Sequence, residues 1–163
     1  MARVSSAKNV KKISEIVAIA RRAQSRGLTV VTTNGTFDLV HVGHLRNLKF
    51  AKSLGDILIV GVNSDASVKA YKGPKRPIVS EGERAEVIAS LDPVDYVFIF
   101  NDETPIPWLK KIRPNVHVKG GDRKMNQIIE RHTLKKIGAK FAFAPFTKGK
   151  SSTNIIEKIS RLS

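Results

Sequence analysis

The sequence predicts a single α/β domain built on a five-stranded parallel sheet with helices on both faces. Short apolar and β-branched runs alternate along the chain with stretches of helical periodicity. Several of these runs are continuously apolar and bounded by turn residues, which is typical of parallel strands covered on both faces. The chain has 163 residues, of which 41% are hydrophobic, enough for one domain (1–163) with a substantial core. Alternating strands and helices with right-handed crossovers complete the expected architecture.

The composition limits the classes of function. The absence of cysteine excludes disulfides, thiolate metal sites and cysteine nucleophiles. No apolar run approaches membrane-spanning length, so we expect a cytoplasmic protein without membrane insertion. The 29 basic and 14 acidic residues give a formal net charge of +15, which attracts anions. Aromatic residues make up 6% of the chain and are not interleaved with the basic ones, which disfavours nucleic acid as a partner.

The first element is a helix. Apolar residues from Ile13 to Ala23 recur at helical spacing, Ser14 is a candidate N-cap, and Gly27 stands where the helix would stop. The basic composition of residues 1–27 would also suit a transit peptide, but the helical pattern favours a helix packed on the sheet. Residues 1–13 are then an N-terminal extension of the domain.

The segment VVTTNGTFDLVHVGH, residues 30–44, contains the strongest functional pattern. Its β-branched start predicts a buried strand, and a helix begins just after His41 and ends at Gly55. His41 and His44 are three residues apart and lie on one side of the first helical turn, where free N–H groups favour an anion. Ordinary surface or capping histidines are the alternative. Their pairing, the glycine spacing and the position after the first strand favour a phosphate site.

The second strand, Asp56–Val62, ends in Asn63-Ser64-Asp65, where open α/β sheets bind ligands. Asp65 is either a ligand-binding residue or the N-cap of a helix over residues 66–71. Residues 69–77 carry four cations in a stretch that Gly73 and two prolines keep from being helix or central strand. We interpret this stretch as a phosphate-binding arm.

A capping box at Ser80–Glu83 predicts a helix that runs through Leu91. Arg84 lies in its first turn, against the preference of the helix dipole, and is therefore expected to have a phosphate or carboxylate partner. The elements that follow are, in order, a strand over 95–100, a helix over 105–112, a strand over 115–119, a helix over 125–137, a strand over 140–144 and a C-terminal helix. His117 and His132 are interpreted as structural.

Two later segments have the character of binding loops. Gly120 and Gly121 permit close backbone approach at a strand end, and Asp122 could accept hydrogen bonds from a ribose or base. A simple Gly-Asp turn is the alternative. The hydroxyls of residues 151–153 at the start of the C-terminal helix predict a second anion site, or serve only as caps.

The histidine segment resembles the GxFDxxHxGH signature of the HIGH-motif nucleotidyltransferase superfamily. It matches at Gly35, Phe37, Asp38, His41, Gly43 and His44. Residues 14–160 are similar to heptose 1-phosphate adenylyltransferases, with shared motifs at Asn63-Ser64-Asp65, Lys72-Gly73, Arg76-Pro77, Glu83-Arg84, Val94-Asp95, Thr104-Pro105, Val118–Asp122 and Ser151–Ile156. Thr36 stands where many relatives have cysteine, Ser152 replaces a threonine, and Lys148 and Lys150 add charge.

The resemblance implies a Rossmann-like fold that transfers AMP from ATP to D-glycero-D-manno-heptose 1-phosphate and releases pyrophosphate. It implies catalytic roles for His41, His44 and Lys72. The residues it implies for the nucleotide are Asn34, Gly35, Thr36, Phe37, Gly43, Arg84, Lys119, Gly120, Gly121, Asp122, Ser151, Ser152 and Thr153, and those for the acceptor are Asp38, Asp65 and Arg76. Mg²⁺ is expected to bind through the nucleotide phosphates, because the sequence offers no clustered carboxylates. Relatives of this kind are often homodimers.

Three other functions stay open at this point. Glycerol 3-phosphate cytidylyltransferases and FAD synthases share the first signature but not the whole set of later motifs. A basic nucleic-acid-binding protein that keeps the fold without catalysis is the alternative from another class, and the intact histidine pair disfavours it. The preference for adenine over cytosine or guanine depends on backbone contacts that a sequence does not show.

Overall fold

Five strands form one parallel sheet in the computed structural model, which describes residues 9–121 and 128–162. The strands are β1 (Val30–Gly35), β2 (Ile57–Asn63), β3 (Tyr96–Phe100), β4 (Val116–Lys119) and β5 (Lys140–Phe143). Their order across the sheet is β3-β2-β1-β4-β5, and every neighbouring pair is parallel. The chain therefore starts at the centre, builds one half of the sheet and then crosses to the other. The predicted Rossmann-like sheet is confirmed.

Helices cover both faces of this sheet. In chain order they are α1 (Ile13–Ser25), α2 (Val42–Lys52), α3 (Asp65–Lys72), α4 (Glu81–Ala89), α5 (Ile106–Ile112), α6 (Arg131–Ile137) and α7 (Ser152–Ser160). On one face α1 packs against α5 and α5 against α6, while α2 and α4 contact the strands from the other face. The described residues include no helix with the length and apolar character of a membrane span.

Two apolar cores result from the alternation of side chains along the strands. In β2, Leu58 and Val60 are fully buried in the core shared with α2 and α4, whereas Ile59 is fully buried in the core beneath α1 and α5. Trp108 of α5 lies in this second core and is 1% exposed. A parallel sheet buried on both faces explains why β2 is a continuous apolar run rather than an alternating one.

Several element boundaries differ from the prediction. The N-cap of α1 is Lys12 rather than Ser14, and the preceding Val10 forms a parallel bridge with Val97, so this part of the N-terminal extension lies along β3. The helix α3 runs through Lys72, so the prediction that residues 69–72 are not helical is wrong. Gly73, at φ 89°, ends the helix at this point. The glycine and the prolines lie beyond these four residues and restrict only the backbone that follows.

The helix predicted over 125–137 begins only at Arg131. Residues 128–130 are irregular, and 122–127 lie outside the described residues. Helical periodicity did not account for Glu130, which is 2% exposed and has its carboxylate 2.7 Å from the Lys119 ammonium. An ion pair across the sheet surface fixes the backbone before α6, and this tertiary constraint overrides the local preference for helix.

His117 is structural, as predicted. It is fully buried in β4, with Nδ1 2.8 Å from Thr32 Oγ1 and Nε2 3.6 Å from Glu130 Oε1. Burial lowers the pKa of His117 from 6.5 to about 4, although the adjacent Glu130 acts in the opposite direction. The imidazole is therefore neutral near pH 7 in the folded protein.

This burial makes stability sensitive to acid. Between pH 6.5 and about 4 the unfolded chain binds a proton at residue 117 that the folded protein does not, so stability falls as the pH decreases. We expect His117→Asn to reduce the slope of the unfolding free energy against pH, between pH 6.5 and 5, by about 1 kcal/mol per pH unit. Urea unfolding followed by the fluorescence of Trp108 measures this slope. His132→Asn on exposed α6 is the control, and an unchanged slope in His117→Asn would contradict the assignment.

Candidate active site

A cleft of about 810 Å³ lies at the carboxyl edge of the sheet. It is lined by residues that end or follow every strand, among them Asn34, Asn63, Glu103, Lys119 and Phe146. In open parallel sheets this edge binds ligands where the strand order reverses, here between β1 and β4. The volume lies within the range of cavities that bind small ligands and cofactors.

The two histidines of the signature cap the helix at the centre of the cleft. His41 is the N-cap of α2, and its Nδ1 accepts a hydrogen bond from Gly43 N at 3.1 Å. His44 Nδ1 accepts from His41 N at 3.3 Å, and the two ring centroids are 4.0 Å apart. Because each Nδ1 is an acceptor, the proton of each neutral ring is on Nε2. Both rings thus keep one N–H donor for a ligand.

Glycines make room for this arrangement. A Cβ on Gly43 would lie 2.9 Å from two atoms of the His41 ring, and one on Gly35 would lie 3.1 Å from the Phe37 ring. Phe37 is buried and packs against His44, with ring centroids 5.2 Å apart. The glycine spacing of the signature is therefore a packing requirement around the rings.

The environment keeps both imidazoles neutral. Burial, together with smaller contributions from the neighbouring His41 and Lys72, lowers the pKa of His44 to about 4. Burial and the charge of Lys150 lower the pKa of His41. Near pH 7 the histidines are consequently uncharged donors, while the lysines supply the positive charge of the cleft.

A second helix start faces the first. Ser151 is the N-cap of α7, and its hydroxyl accepts from Asn154 N at 3.0 Å, so the capping role considered from the sequence is present. Ser152 Oγ donates to Leu39 O at 2.9 Å and ties α7 to the loop that precedes α2. Residues 151–153 nevertheless line the cleft beside His41. Two helix N-termini and their unsatisfied N–H groups thus meet at one cavity.

The β4 side of the cleft has a polar floor and close backbone contacts. The ammonium of Lys119 lies 2.8 Å from Asn34 Oδ1 and 2.7 Å from Glu130 Oε1. Burial of Glu130 opposes its ionisation, but the adjacent His117 and the charge of Lys119 outweigh this effect and lower the pKa of Glu130 to about 2. Gly121 admits no side chain, since a Cβ would lie 2.2 Å from Ala144 O. Asp122, predicted to contact ribose or base, lies outside the described residues.

The structure brings most of the predicted residues together. Among the predicted catalytic and nucleotide-binding residues that the structure describes, all except Arg84 line the cleft, namely His41, His44, Lys72, Asn34, Gly35, Thr36, Phe37, Gly43, Lys119, Gly120, Gly121, Ser151, Ser152 and Thr153. Their contacts with a nucleotide remain predictions.

Arg84 and Asp65 support the cleft from behind instead of lining it. Arg84 is 1% exposed and donates to three carbonyls: Thr36 O, Asn63 O at 2.8 Å and Val79 O at 2.9 Å. Its guanidinium also lies 2.7 Å from Asp65 Oδ1, the carboxylate partner that its helical position predicted. The N-cap of α3 is Ser64, whose hydroxyl accepts from Ser67 N, so the alternative of Asp65 as the cap is wrong. The shorter polar side chain at 64 holds the cap, and Asp65 turns to the arginine.

Asp38 and Arg76, predicted to contact the acceptor, also lie outside the cleft lining. Asp38 is 3% exposed and accepts from Arg76 Nε at 2.6 Å, Ile78 N at 2.8 Å and Val79 N at 2.9 Å. Burial of this carboxylate is outweighed by these hydrogen bonds, and the pKa of Asp38 is lowered. The signature aspartate thus fixes the end of the segment 69–77 and the two residues that follow it.

Several cleft residues escaped the sequence reasoning. Tyr71, at the end of α3, lines the cleft and its hydroxyl contacts the Thr36 hydroxyl. Glu103, Asn47 and Lys150 also line it, and of these the sequence singles out only Lys150, as a departure from relatives. The position of Glu103 just after β3 was an available signal, because every other strand is followed by a cleft residue. The described residues contain no group of three or more His, Asp or Glu side chains that could hold a metal.

Comparisons with known proteins agree with this geometry. The sequence model of the family described as cytidylyltransferase-like matches residues 32–158. The chain is 44% identical over 150 residues to the bifunctional protein HldE of Geotalea uraniireducens, covering 92% of this chain and 31% of that protein. It is 45% identical over 155 residues to the bifunctional protein HldE of Trichlorobacter lovleyi, covering 95% of this chain and 31% of that one. The chain thus spans about a third of the length of these relatives.

Solved structures show the same fold. A lipopolysaccharide core biosynthesis protein from Thermoplasma volcanium is similar with a TM-score of 0.65 and 28% identity, over 75% of this chain and 100% of that chain. Pantoate–β-alanine ligase from Francisella tularensis shares the fold alone, with a TM-score of 0.61 and 18% identity over 93% of this chain and 78% of that one. The match over residues 32–158, which contains the histidine signature, the basic segment 69–77 and the starts of α2 and α7, shows that this chain belongs to the cytidylyltransferase-like family.

Proposed function

We propose that this protein is a nucleotidyltransferase that transfers AMP from ATP to a sugar 1-phosphate, D-glycero-D-manno-heptose 1-phosphate, and releases pyrophosphate. The observation that carries the proposal is the pair of neutral imidazoles, each with Nδ1 engaged by a backbone N–H, in a cleft shared by two helix N-termini. The similarity to bifunctional HldE proteins and to a lipopolysaccharide core biosynthesis protein supports the choice of a heptose phosphate.

The reaction is a direct displacement. A phosphate oxygen of the sugar 1-phosphate attacks the α-phosphorus of ATP, the bond from this phosphorus to the bridging oxygen breaks, and pyrophosphate leaves with the bonding electrons. Phosphoryl-type transfers of this kind depend on positioning and charge stabilisation, and need no covalent intermediate on the protein. The absence of cysteine from the chain is consistent with this route.

The histidines supply hydrogen bonds where negative charge develops. Their Nε2–H groups donate to the oxygens of the α-phosphoryl group, and because both pKa values are lowered the rings do so without carrying a charge of their own. Lys72 and Lys150 line the same cleft and provide the positive charge for the triphosphate. The N-terminus of α7 completes the binding of the β- and γ-phosphates.

The two halves of the cleft suit different parts of the reacting pair. On the β4–β5 side, beside the ion pair of Lys119 and Glu130, the lining includes two glycines and the apolar residues Ile128 and Phe146, which suits the flat face and edge of a base. On the β2–β3 side the lining is polar, with Asn63, Tyr71 and Glu103, which suits the hydroxyls of a sugar. We assign the nucleoside to the first half and the acceptor to the second.

Mg²⁺ would bind chiefly through the phosphates of the nucleotide. The described residues include no carboxylate cluster of the kind that holds this ion by protein ligands alone. The ion would neutralise phosphate charge, and the protein's own part remains the placement of donors and lysines around the triphosphate.

A substrate panel tests the proposal. We expect release of pyrophosphate with ATP and D-glycero-D-manno-heptose 1-phosphate, and at least tenfold less with CTP or GTP or with glycerol 3-phosphate or FMN as acceptor. Coupled phosphate detection measures the release. Turnover with CTP and glycerol 3-phosphate, or with ATP and FMN, would identify one of the alternative transferases. No release with any pair, together with salt-sensitive binding of duplex DNA, would support the non-catalytic alternative.

His44→Ala is expected to lower kcat by a factor of about 100 to 1000, because it removes a buried donor to the reacting phosphoryl group. His132→Ala on the exposed surface of α6 is the matched control and should keep the kcat of the unchanged protein. Circular dichroism and urea unfolding check that both variants are folded. A folded His44→Ala protein with nearly normal turnover would overturn the assignment of the imidazole.

The contact between Tyr71 and Thr36 joins the helix that carries Lys72 to the loop after β1. Tyr71→Phe and Thr36→Val each remove one hydroxyl, and we expect each to raise KM for the acceptor severalfold and to lower kcat less. The double variant should show little further loss, since either change breaks the same contact. Steady-state kinetics on the four proteins measure the coupling, and fully additive effects would mean that the two hydroxyls act separately.

A further inference from the structure

The positive charge of this protein is concentrated on one helical layer. The elements α1, α5 and α6, with up to three residues that follow each, expose ten basic side chains: Arg21, Arg22, Arg26, Lys110, Lys111, Arg113, Arg131, Lys135, Lys136 and Lys140. The same segments (13–26, 106–113 and 131–140) contain one acidic residue, Glu15. On the opposite face, the single helix α4 contains three acidic residues, Glu81, Glu83 and Glu86. We name the ten side chains the basic edge.

Most of the basic edge lies at the far end of the molecule from the cleft. Helices of a parallel α/β sheet run opposite to the strands, so the last turns of α1, α5 and α6 lie at the amino edge of the sheet. Gln24 of α1 donates from Nε2 to Arg113 O at 2.8 Å and to Asn115 Oδ1 at 3.1 Å. Lys140, the first residue of β5, donates from its backbone N to Asn115 O at 2.8 Å. These bonds bring together the ends of α1 and α5 and the start of β5, which follows α6 after two residues.

Arg113, one residue of the basic edge, has an unfavourable backbone conformation. Arg113 follows α5 with φ 52° and ψ 60°, the left-handed conformation that favours glycine or asparagine after a helix. Its side chain is exposed and forms no ion pair with another described residue. Neither packing nor pairing accounts for an arginine here, whereas a role for its charge does.

The chemistry of the basic edge restricts its partner. Among the described residues, the exposed large apolar side chains all lie outside α1, α5 and α6, so this layer has neither an aromatic residue to stack on bases nor an apolar anchor for a protein partner. The carbonyl groups at the helix ends carry partial negative charge and oppose close hydrogen bonding of a phosphate, unlike helix N-termini. Lysine and arginine side chains reach beyond these carbonyls. The layer therefore suits a broad anionic surface approached at a distance better than tightly held phosphates.

We propose that the basic edge docks this protein on the headgroup surface of an anionic phospholipid bilayer, without insertion into the hydrocarbon. A bilayer presents negative charge over an area larger than the three helix ends and requires no fixed hydrogen-bond geometry. Adsorption through the amino edge leaves the cleft at the carboxyl edge facing away from the lipid. The active site would thus stay open to its substrates while the protein is held at the surface.

Vesicle co-sedimentation tests this docking, with the full chain and without substrate, so that the outcome does not depend on the proposed reaction. The vesicles contain equal parts phosphatidylglycerol and phosphatidylcholine, with pure phosphatidylcholine for comparison. We expect binding to the anionic vesicles alone, weakening as salt is added. The variant Arg26→Gln, Lys111→Gln, Lys136→Gln takes one cation from each helix and should bind on the order of 100-fold more weakly, at about fivefold per residue.

A control variant removes the same charge elsewhere. The control variant carries Lys49→Gln on α2, Lys158→Gln on α7 and Arg161→Gln just after α7. All three cations are exposed, and the variant should keep most of the vesicle binding. Equal losses in the two variants would mean that net charge alone attracts the protein, and would overturn the proposal. Absence of binding to the anionic vesicles at low salt would also overturn the proposal. So would binding to duplex DNA that is tighter than binding to the vesicles and is lost in the basic-edge variant. The unchanged protein and both triple variants should release pyrophosphate at the same rate. If none of the three released pyrophosphate, the proposed reaction would be contradicted, but the docking would not.

Discussion

The cleft depends on the hydrogen bonds by which two imidazoles cap the helix α2. A helix start leaves backbone N–H groups without partners, and here Nδ1 of His41 and of His44 satisfies two of the N–H groups at this start. The same bonds decide which ring nitrogen carries the proton. A structural requirement of the helix thereby determines the chemistry available to a ligand, because each Nε2 must be a donor when the ring is neutral. Gly43 belongs to this arrangement, since any side chain would collide with the His41 ring.

The polar groups around the cleft are held by a second group of charges that do not face it. Arg84 gathers three backbone carbonyls from different segments and the carboxylate of Asp65 beneath the ends of β1 and β2. The carboxylate of Asp38 accepts hydrogen bonds from two backbone N–H groups and from the side chain of Arg76. A buried charge of this kind is tolerated only when its hydrogen bonds are satisfied, so the loops cannot shift without a large energetic cost. This explains how charged residues that do not line the cleft can still determine its shape.

The distribution of charge separates two tasks. Within the cleft a few lysines lie beside neutral histidines, and the carboxylate of Glu130 is paired with the ammonium of Lys119. Most of the excess positive charge lies instead on the helical layer of α1, α5 and α6, whose last turns are at the opposite edge of the sheet. At that distance, screening by salt leaves little effect on the chemistry of the cleft. The high net charge of the chain is thus a property of its surface more than of its active site.

Local patterns in the sequence were sufficient for the elements and for the main features of the site. Strand and helix periodicity, the two helix starts and the motif His41-Val42-Gly43-His44 are each contained within a few residues, where backbone hydrogen bonding and side-chain spacing act directly. Only the tertiary structure decided the strand order and the partners of the charged side chains. Arg84 finds Thr36 48 positions away, and Lys119 finds Asn34 85 positions away. Such pairs form because the sheet order brings distant strand ends together, and no local periodicity encodes which ends will meet. Glu130 shows the same limit, since its ion pair with Lys119 replaced a helical turn that its neighbours favoured.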